Sequence, residues 1–199
     1  PCVDLDQRGM ADKIEAMARN HFKKIYPIGN PIYEYHDPKT VRSIDDFSLF
    51  HKTRGNANQA VLMDVKTHDT DRSFSMPNLI SGERLFKLYN DEDNYFGLAI
   101  IDYEANPNTP EGRFSGNKII TNARAMLIEE IDWSCLHIQN LGTGQIQIKN
   151  LGNEIIKFNG TRQEWLDEFY RAMIKFSDHT INKIGKRKKK WEDRFNQKI

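Results

Sequence analysis

Residues 60–81, AVLMDVKTHDTDRSFSMPNLIS, constrain the fold of this chain more than any other segment. The apolar residues 61–63 predict a β-strand, which is then interrupted by two charges. Because strand side chains alternate between faces, Asp64 and Lys66 are expected to point the same way. This pair suits a place where a divalent cation meets an anionic substrate. A D-x-K tripeptide is also common on solvent-facing edge strands, so its function depends on the residues around it.

Composition bounds the class of protein. The chain has 199 residues, which predicts a single domain spanning 1–199. Its net charge is only +1, but basic residues are concentrated in 183–190. Such a run is usually a solvated tail, and contact with the phosphates of DNA is the alternative. Two cysteines are too few for a disulfide framework and indicate a reducing cytoplasm. With no apolar run near the roughly 20 residues that a membrane span needs, we expect no membrane partner.

Three helices are predicted. Residues 10–22 carry an apolar stripe at helical spacing, and residues 79–89 look helical as well. The third begins at Thr161, which with Glu164 forms a capping box, and continues to about Gly185. It opens a basic C-terminal region of about 161–199.

Strands are predicted at 43–50 and 60–67, paired antiparallel through the polar turn between them. That pairing would bring Asp45 or Asp46 close to Asp64. The strand period lets only one of the two acids face the site. Asp46 is favoured because it leaves Phe47 on the opposite, apolar face, and Asp45 remains the alternative.

The remaining segments predict an α/β fold. Residues 96–103 look like a buried strand, and 26–38 like an extended loop or edge strand. Two short strands are expected within 136–149, whereas 118–136 stays ambiguous. We therefore expect a central mixed β-sheet flanked by helices.

Two carboxylates and a lysine can hydrolyse a phosphodiester. Asp46 and Asp64 would supply oxygen ligands to Mg²⁺, which binds through one or two carboxylates plus substrate phosphate. Lys66 would orient or deprotonate water, or stabilise developing charge, and the sequence does not choose among these roles. No histidine pair has zinc-site spacing, and His68 is expected at the surface.

Polar side chains are dense between residues 139 and 147. Asn and Gln can pair bidentately with adenine, so this segment is a candidate for reading bases. A polar hairpin without such a role is the alternative. The candidates are Gln139, Asn140, Thr143 and Gln145.

Several motifs together resemble a known family. They are DFSLF from Asp46, LMDVKT from Leu62, PNLIS from Pro77, QIQI from Gln145 and FNGTRQEW from Phe158. In this combination the chain resembles type II restriction endonucleases of the PD-(D/E)xK superfamily, specifically the blunt-cutting HincII-like group related to EcoRV. The resemblance covers most of the chain from about Ser43 onward.

The resemblance implies a restriction-endonuclease-like fold and a U-shaped homodimer that clamps double-stranded DNA at a palindrome, in the bacterial cytoplasm. It implies Asp46, Asp64 and Lys66 as the catalytic set, and Mg²⁺ bound by the two acids and the backbone carbonyl of Val65. Lys188 belongs to the lysine-rich segment expected to contact phosphates. The implied DNA-facing residues are Phe74, Ser75, Met76 and Asn78, with Phe74 or Ser75 as the side chain that wedges into the duplex, and Gln139 or Asn140 as the base reader.

Two other functions fit the same residues. One is a structure-specific nuclease of the same superfamily, such as a junction resolvase or a repair nuclease. The other is a DNA-binding module in which the acids and the lysine are ordinary surface charges.

Overall fold

The computed structural model describes residues 7–38, 45–52, 58–71, 76–105, 118–139 and 144–196. The described part is a mixed α/β structure with three helices, which confirms the predicted coarse class. The helices are α1 (Gln7–Ile25), α2 (Gly82–Leu88) and α3 (Arg162–Asn196). The strands are β1 (Tyr33–His36), β2 (Phe47–Lys52), β3 (Asn58–Asp69), β4 (Asn78–Ser81), β5 (Asn94–Ala105), β6 (Lys118–Leu127), β7 (Leu136–Gln139) and β8 (Gln145–Ile148).

The central sheet has five strands in the order β1-β2-β3-β5-β6. Strands β2 and β3 form the predicted antiparallel hairpin, with Phe47 opposite Met63 and Leu49 opposite Val61. β5 runs parallel to β3, and β6 runs antiparallel to β5, so the sheet is mixed. A second sheet of three antiparallel strands has the order β4-β8-β7.

The central sheet is covered differently on its two faces. On one face, α1 packs Ile14 and Ala18 against Phe47, Met63 and Val65. On the other face, the second sheet, α2 and the first turns of α3 form a larger core. Trp165 and Phe169 are fully buried there, and the Trp165 indole N–H donates to the Ile131 carbonyl at 2.9 Å. β3 therefore lies between two cores.

The ends of the helices follow from local hydrogen bonds. Thr161 and Glu164 form the predicted capping box, because Thr161 N–H donates to Glu164 Oε2 at 2.7 Å and Glu164 N–H donates to Thr161 Oγ1 at 3.3 Å. Ser81 caps α2 by accepting from Arg84 N–H at 3.3 Å.

Two predicted boundaries are wrong. Residues 78–81, which were assigned mainly to a helix, form β4, because Asn78 and Ser81 pair with Gln147 and Gln145 of β8. α3 continues to Asn196 instead of ending near Gly185. A Cβ at Gly185 would meet no atom within 4 Å, so the missing side chain leaves no packing gap. The Lys and Arg residues that follow it favour helix.

Candidate active site

β3 places Asp64 and Lys66 on the same face of the central sheet. Lys66 Nζ donates to Asp64 Oδ1 at 2.7 Å, which is the length of a strong charge-assisted hydrogen bond. Asp64 is only 7 % exposed, and Lys66 is half-buried. The two charges predicted on this strand are therefore paired and largely withdrawn from water.

Asp46, directly before β2, lies beside this pair. Its N–H donates to the Met63 carbonyl at 2.8 Å, which continues the β2–β3 ladder by one residue. Its Oδ2 accepts from the Val65 N–H at 2.6 Å. Asp45 is also buried, but its Oδ2 accepts from the Ser48 hydroxyl at 2.7 Å. Of the two candidate first acids, the structure brings Asp46 to Asp64.

The electrostatics of Asp64 are unusual. Burial is the main cause that raises the pKa of Asp64 to about 7; Lys66 opposes it, and the charge of Asp46 and its hydrogen bond to Asp64 add to it. Among the described residues, Asp64 Oδ2 has no hydrogen-bond partner. A buried carboxylate oxygen without a partner is costly unless a cation or a donor reaches it. These residues therefore fit a divalent cation.

The Val65 carbonyl points to the same side of β3 as Asp46. In a strand, the N–H and C=O of one residue face the same side, and the Val65 N–H is bound to the Asp46 carboxylate. β2 ends its pairing at Met63, so this carbonyl faces the region just beyond that end. A cation between the two acids would thus have a third oxygen within the same region.

Glu15 of α1 responds to the charges of the candidate site, which the sequence analysis missed. Burial raises its pKa, and so does the Asp46 carboxylate, whereas Arg19 lowers it and Lys66 lowers it less. Arg19 lies 3.4 Å from Glu15 Oε1. No local sequence signal marks Glu15, because its position depends on how α1 packs against β3.

His68 is buried, so its predicted surface position is wrong. Its Nδ1 lies 3.1 Å from Asp102 Oδ1, because the two residues are register partners on β3 and β5. Asp102 Oδ2 also accepts from Arg124 at 2.6 Å and from Asn122 at 3.1 Å. This polar cluster lies on the Asp64 face of the sheet, where the alternation of β3 puts it.

The candidate base-reading residues lie on the three-stranded sheet. Gln139 and Gln145 are half-buried register partners, and exposed Asn78 pairs with Gln147. Gln147 donates to Asn78 Oδ1 at 2.5 Å, while its own Oε1 has no partner among the residues described. Met76 is half-buried just before β4. Four further candidates lie outside the described residues: Phe74, Ser75, Asn140 and Thr143.

Lys188 lies on the exposed part of α3. Its Nζ is 3.6 Å from Glu192 Oε1, one helical turn away, and both side chains are largely in solvent. An exposed pair of this kind is weak, so the lysine can readily exchange it for a phosphate.

Two further features concern metals and membranes. Over the described ranges, no three His, Cys, Asp or Glu residues are close enough to form a complete metal cage. Within the same part of the chain, no helix combines the length and the apolar character that crossing a membrane needs.

Comparison with known proteins gives no assignment. No protein-family model matches the chain, and no curated protein matches it significantly.

Proposed function

We propose that this chain is a Mg²⁺-dependent type II site-specific endonuclease of the PD-(D/E)xK superfamily, with that superfamily's fold. The observation that supports the proposal is the convergence of Asp46, Asp64 and Lys66 at one place, where Asp64 keeps an unpartnered, buried oxygen. Three residues that lie up to 20 positions apart in sequence form the combination that phosphodiester hydrolysis needs.

Each residue has a defined role in the proposal. Asp46 and Asp64 hold Mg²⁺ through carboxylate oxygens, with the Val65 carbonyl as a third ligand. When bound, Mg²⁺ lowers the pKa of water and neutralises the negative charge that develops at phosphorus. Lys66 keeps its ammonium beside Asp64, where it can donate to the attacked phosphate and position the water.

The proposed substrate is double-stranded DNA with a short palindromic site. A twofold homodimer matches a palindrome because each subunit reads one half-site and cuts one strand. Blunt ends follow from the HincII-like resemblance. Gln139, Gln145 and Asn78 are the described residues proposed to face the bases, and Lys188 is proposed to contact phosphate.

Digestion of linear DNA of known sequence, with and without Mg²⁺, tests the proposal. Discrete fragments that appear only with Mg²⁺ are expected, and sequencing their ends gives both the site and the cut position. Asp64→Asn and Lys66→Ala should each reduce the cleavage rate at least about a hundredfold. Lys66→Ala should still bind the cognate duplex when Ca²⁺ replaces Mg²⁺.

Lys52→Ala is the matched control, because Lys52 is an exposed lysine of β2 that pairs with Glu34 away from the acids. It should cut at the wild-type rate. Normal cleavage by either site variant would remove the catalytic assignment. The same cluster would serve a structure-specific nuclease, and cutting only at junctions or mismatches would favour that function. Sequence-specific binding without any cleavage would favour a DNA-binding module.

A further inference from the structure

The C-terminal half of α3 stands apart from the body of the protein. α3 contains 35 residues, which makes it about 50 Å long. Only Trp165 and Phe169 in its first turns are buried, and every residue from 181 to 196 is solvent-exposed. The part of α3 after Thr180 therefore lies outside the core.

This exposed half carries large apolar side chains in a regular pattern. Their spacings of 7, 3, 7 and 4 residues are those of the a and d positions of a heptad, with a at 174, 181, 188 and 195 and d at 177, 184 and 191. Exposed apolar side chains aligned in a seam along one face of a helix mark an interaction surface. The exposed residues are Ile174 (64 %), Ile181 (67 %), Ile184 (58 %), Trp191 (69 %) and Phe195 (67 %).

We propose that residues 174–195 form a parallel two-stranded coiled coil with the same segment of a second copy of this chain. The inference deepens the proposed function and rests on it for the twofold dimer. It assigns that dimer to a particular surface, which the proposed function does not.

The charges beside the seam match a second copy. In a parallel pair, a g residue faces the e residue five positions later on the partner helix. Arg187 is at g and Glu192 is at e, so the twofold axis creates two Arg–Glu pairs. An antiparallel pair with Ile181 against Trp191 would instead place Arg187 against Arg187 of the other copy. The charge pattern therefore selects the parallel arrangement.

Two polar residues, Ser177 at d and Lys188 at a, interrupt the seam. A polar residue at a specifies the register of a coiled coil, at a cost in stability. Because Lys188 faces the second copy in this pair, the phosphate contact proposed for it passes to the outer lysines. Glu192 of the same helix lies 3.6 Å from the Lys188 ammonium and partly neutralises it. The other lysines of the segment are at b, c and f, on the outside of the pair, where they remain available to phosphates. They are Lys175, Lys183, Lys186, Lys189 and Lys190.

The pair should respond to salt in the opposite direction from DNA binding. Residues 183–196 contain seven basic and two acidic residues, so two copies repel each other through their outer positions. Salt screens that repulsion and strengthens association, whereas it weakens binding to DNA phosphates. Salt concentration therefore separates self-association of this helix from its binding to DNA.

Sedimentation equilibrium of the full chain without DNA tests the association. The mass should rise from 23.2 kDa toward twice that value with concentration, more readily at about 0.5 M than at about 0.05 M NaCl. The double variant Ile184→Gln/Trp191→Gln should dimerise at least about tenfold more weakly. Ile156→Gln is the matched control, since Ile156 is 55 % exposed and lies outside α3. A wild-type chain that stays monomeric, or a double variant that dimerises like wild type, would overturn the proposal.

Oxidation of cysteine variants tests the register. In a parallel pair the two copies of residue 188 face each other within disulfide reach, so Lys188→Cys should cross-link to a covalent dimer. Lys189→Cys, at an outer b position, should cross-link no more than wild type, which has only its own Cys2 and Cys135. Equal cross-linking of both variants would contradict the parallel register.

A final pair of measurements separates this inference from the proposed function. Asp64→Asn should associate like wild type while losing cleavage. A wild-type chain that dimerises as expected but never cuts DNA would contradict the proposed function and support the helix pair. Binding of the wild-type chain to anionic lipid vesicles without self-association, lost in the Ile184→Gln/Trp191→Gln variant, would assign the seam to a membrane surface and overturn the helix pair.

Discussion

At the scale of single residues, Glu15 of α1 is an acid whose pKa responds to the charge of Asp46. Its raised pKa records burial and the nearby Asp46 carboxylate, so the group belongs to the same electrostatic environment as Asp46. A negative group beside the cation ligands strengthens cation binding even without direct contact.

Glu15→Gln should therefore weaken divalent-cation binding about tenfold, because it removes one negative charge and keeps the side-chain shape. Calorimetric titration of the DNA-free protein with Ca²⁺ measures this directly. Glu154→Gln, a change at an exposed acid in the turn before Ile155, is the control and should leave the affinity unchanged. An unchanged affinity in Glu15→Gln would place this residue outside the site.

Glu129 predicts a pH effect on stability. It is buried, and its Oε1 accepts from the Tyr89 hydroxyl at 2.6 Å and lies 3.6 Å from Arg162 Nε. Burial raises its pKa above the ordinary Glu value, more than Tyr89 and Arg162 lower it. The folded state therefore holds the proton more tightly than the unfolded state. This contribution to stability is full below the unfolded pKa of about 4.3 and is lost as pH rises through the folded pKa.

Glu129→Gln removes that titration while keeping an acceptor for Tyr89. The unfolding free energy of wild type minus that of the variant should be largest near pH 4 and should fall as pH rises. Urea unfolding across the pH range measures the difference. For Glu83→Gln the same difference should change with pH in the opposite direction and rise with pH, because the Lys87 hydrogen bond lowers the pKa of Glu83. A difference that does not change with pH would mean that Tyr89 and Arg162 lower the pKa of Glu129 as much as burial raises it.

At the scale of elements, the two ends of α3 differ in their burial. Its first turns are part of the core, where Trp165 is fully buried, and its last turns expose Trp191 to 69 %. Trp165→Ala should cost about 3–5 kcal/mol. Trp191→Ala should change stability by less than about 0.5 kcal/mol at concentrations where the chain is monomeric. Urea unfolding followed by circular dichroism compares the two, and similar losses would show that the exposed half also supports the fold.

Local patterns predicted much of this architecture. The polar turn between the two predicted strands was enough to pair β2 with β3, and the Thr161–Glu164 box was enough to start α3. Residues 79–81 were predicted to begin a helix, and only their pairing with the distant strand β8 makes them a strand. The end of α3 was missed because a glycine inside a run of strong helix formers costs only about 1 kcal/mol.

The part of the candidate site that depends on the β2–β3 hairpin was predicted from the sequence. Asp46, Asp64 and Lys66 meet because the register of two adjacent strands brings them together. Glu15 and the His68–Asp102 pair depend on contacts between elements 31 or more residues apart, which no local pattern encodes.

At the scale of the whole molecule, DNA binding should depend steeply on salt. Each phosphate contact contributes about 0.9 to the slope of log affinity against log salt concentration. Lys186→Ala and Lys190→Ala remove charges one turn apart on the outer side of α3, so each should reduce the slope by about that amount. Fluorescence anisotropy with a labelled duplex measures it, and Lys24→Ala, near the end of α1, is the control. Unchanged slopes in both α3 variants would remove this helix from the DNA contact surface.

The unequal lengths of β2 and β3 have a consequence for how the protein behaves in solution. In the described chain, β2 pairs with β3 only as far as Met63, and beyond that point the Asp46 carboxylate takes the Val65 N–H. An unpaired strand edge can be extended by another chain, and a side chain that occupies its backbone groups prevents this. Asp46→Ala should therefore self-associate more than wild type as well as lose cleavage. Light scattering measures the first change separately from the second.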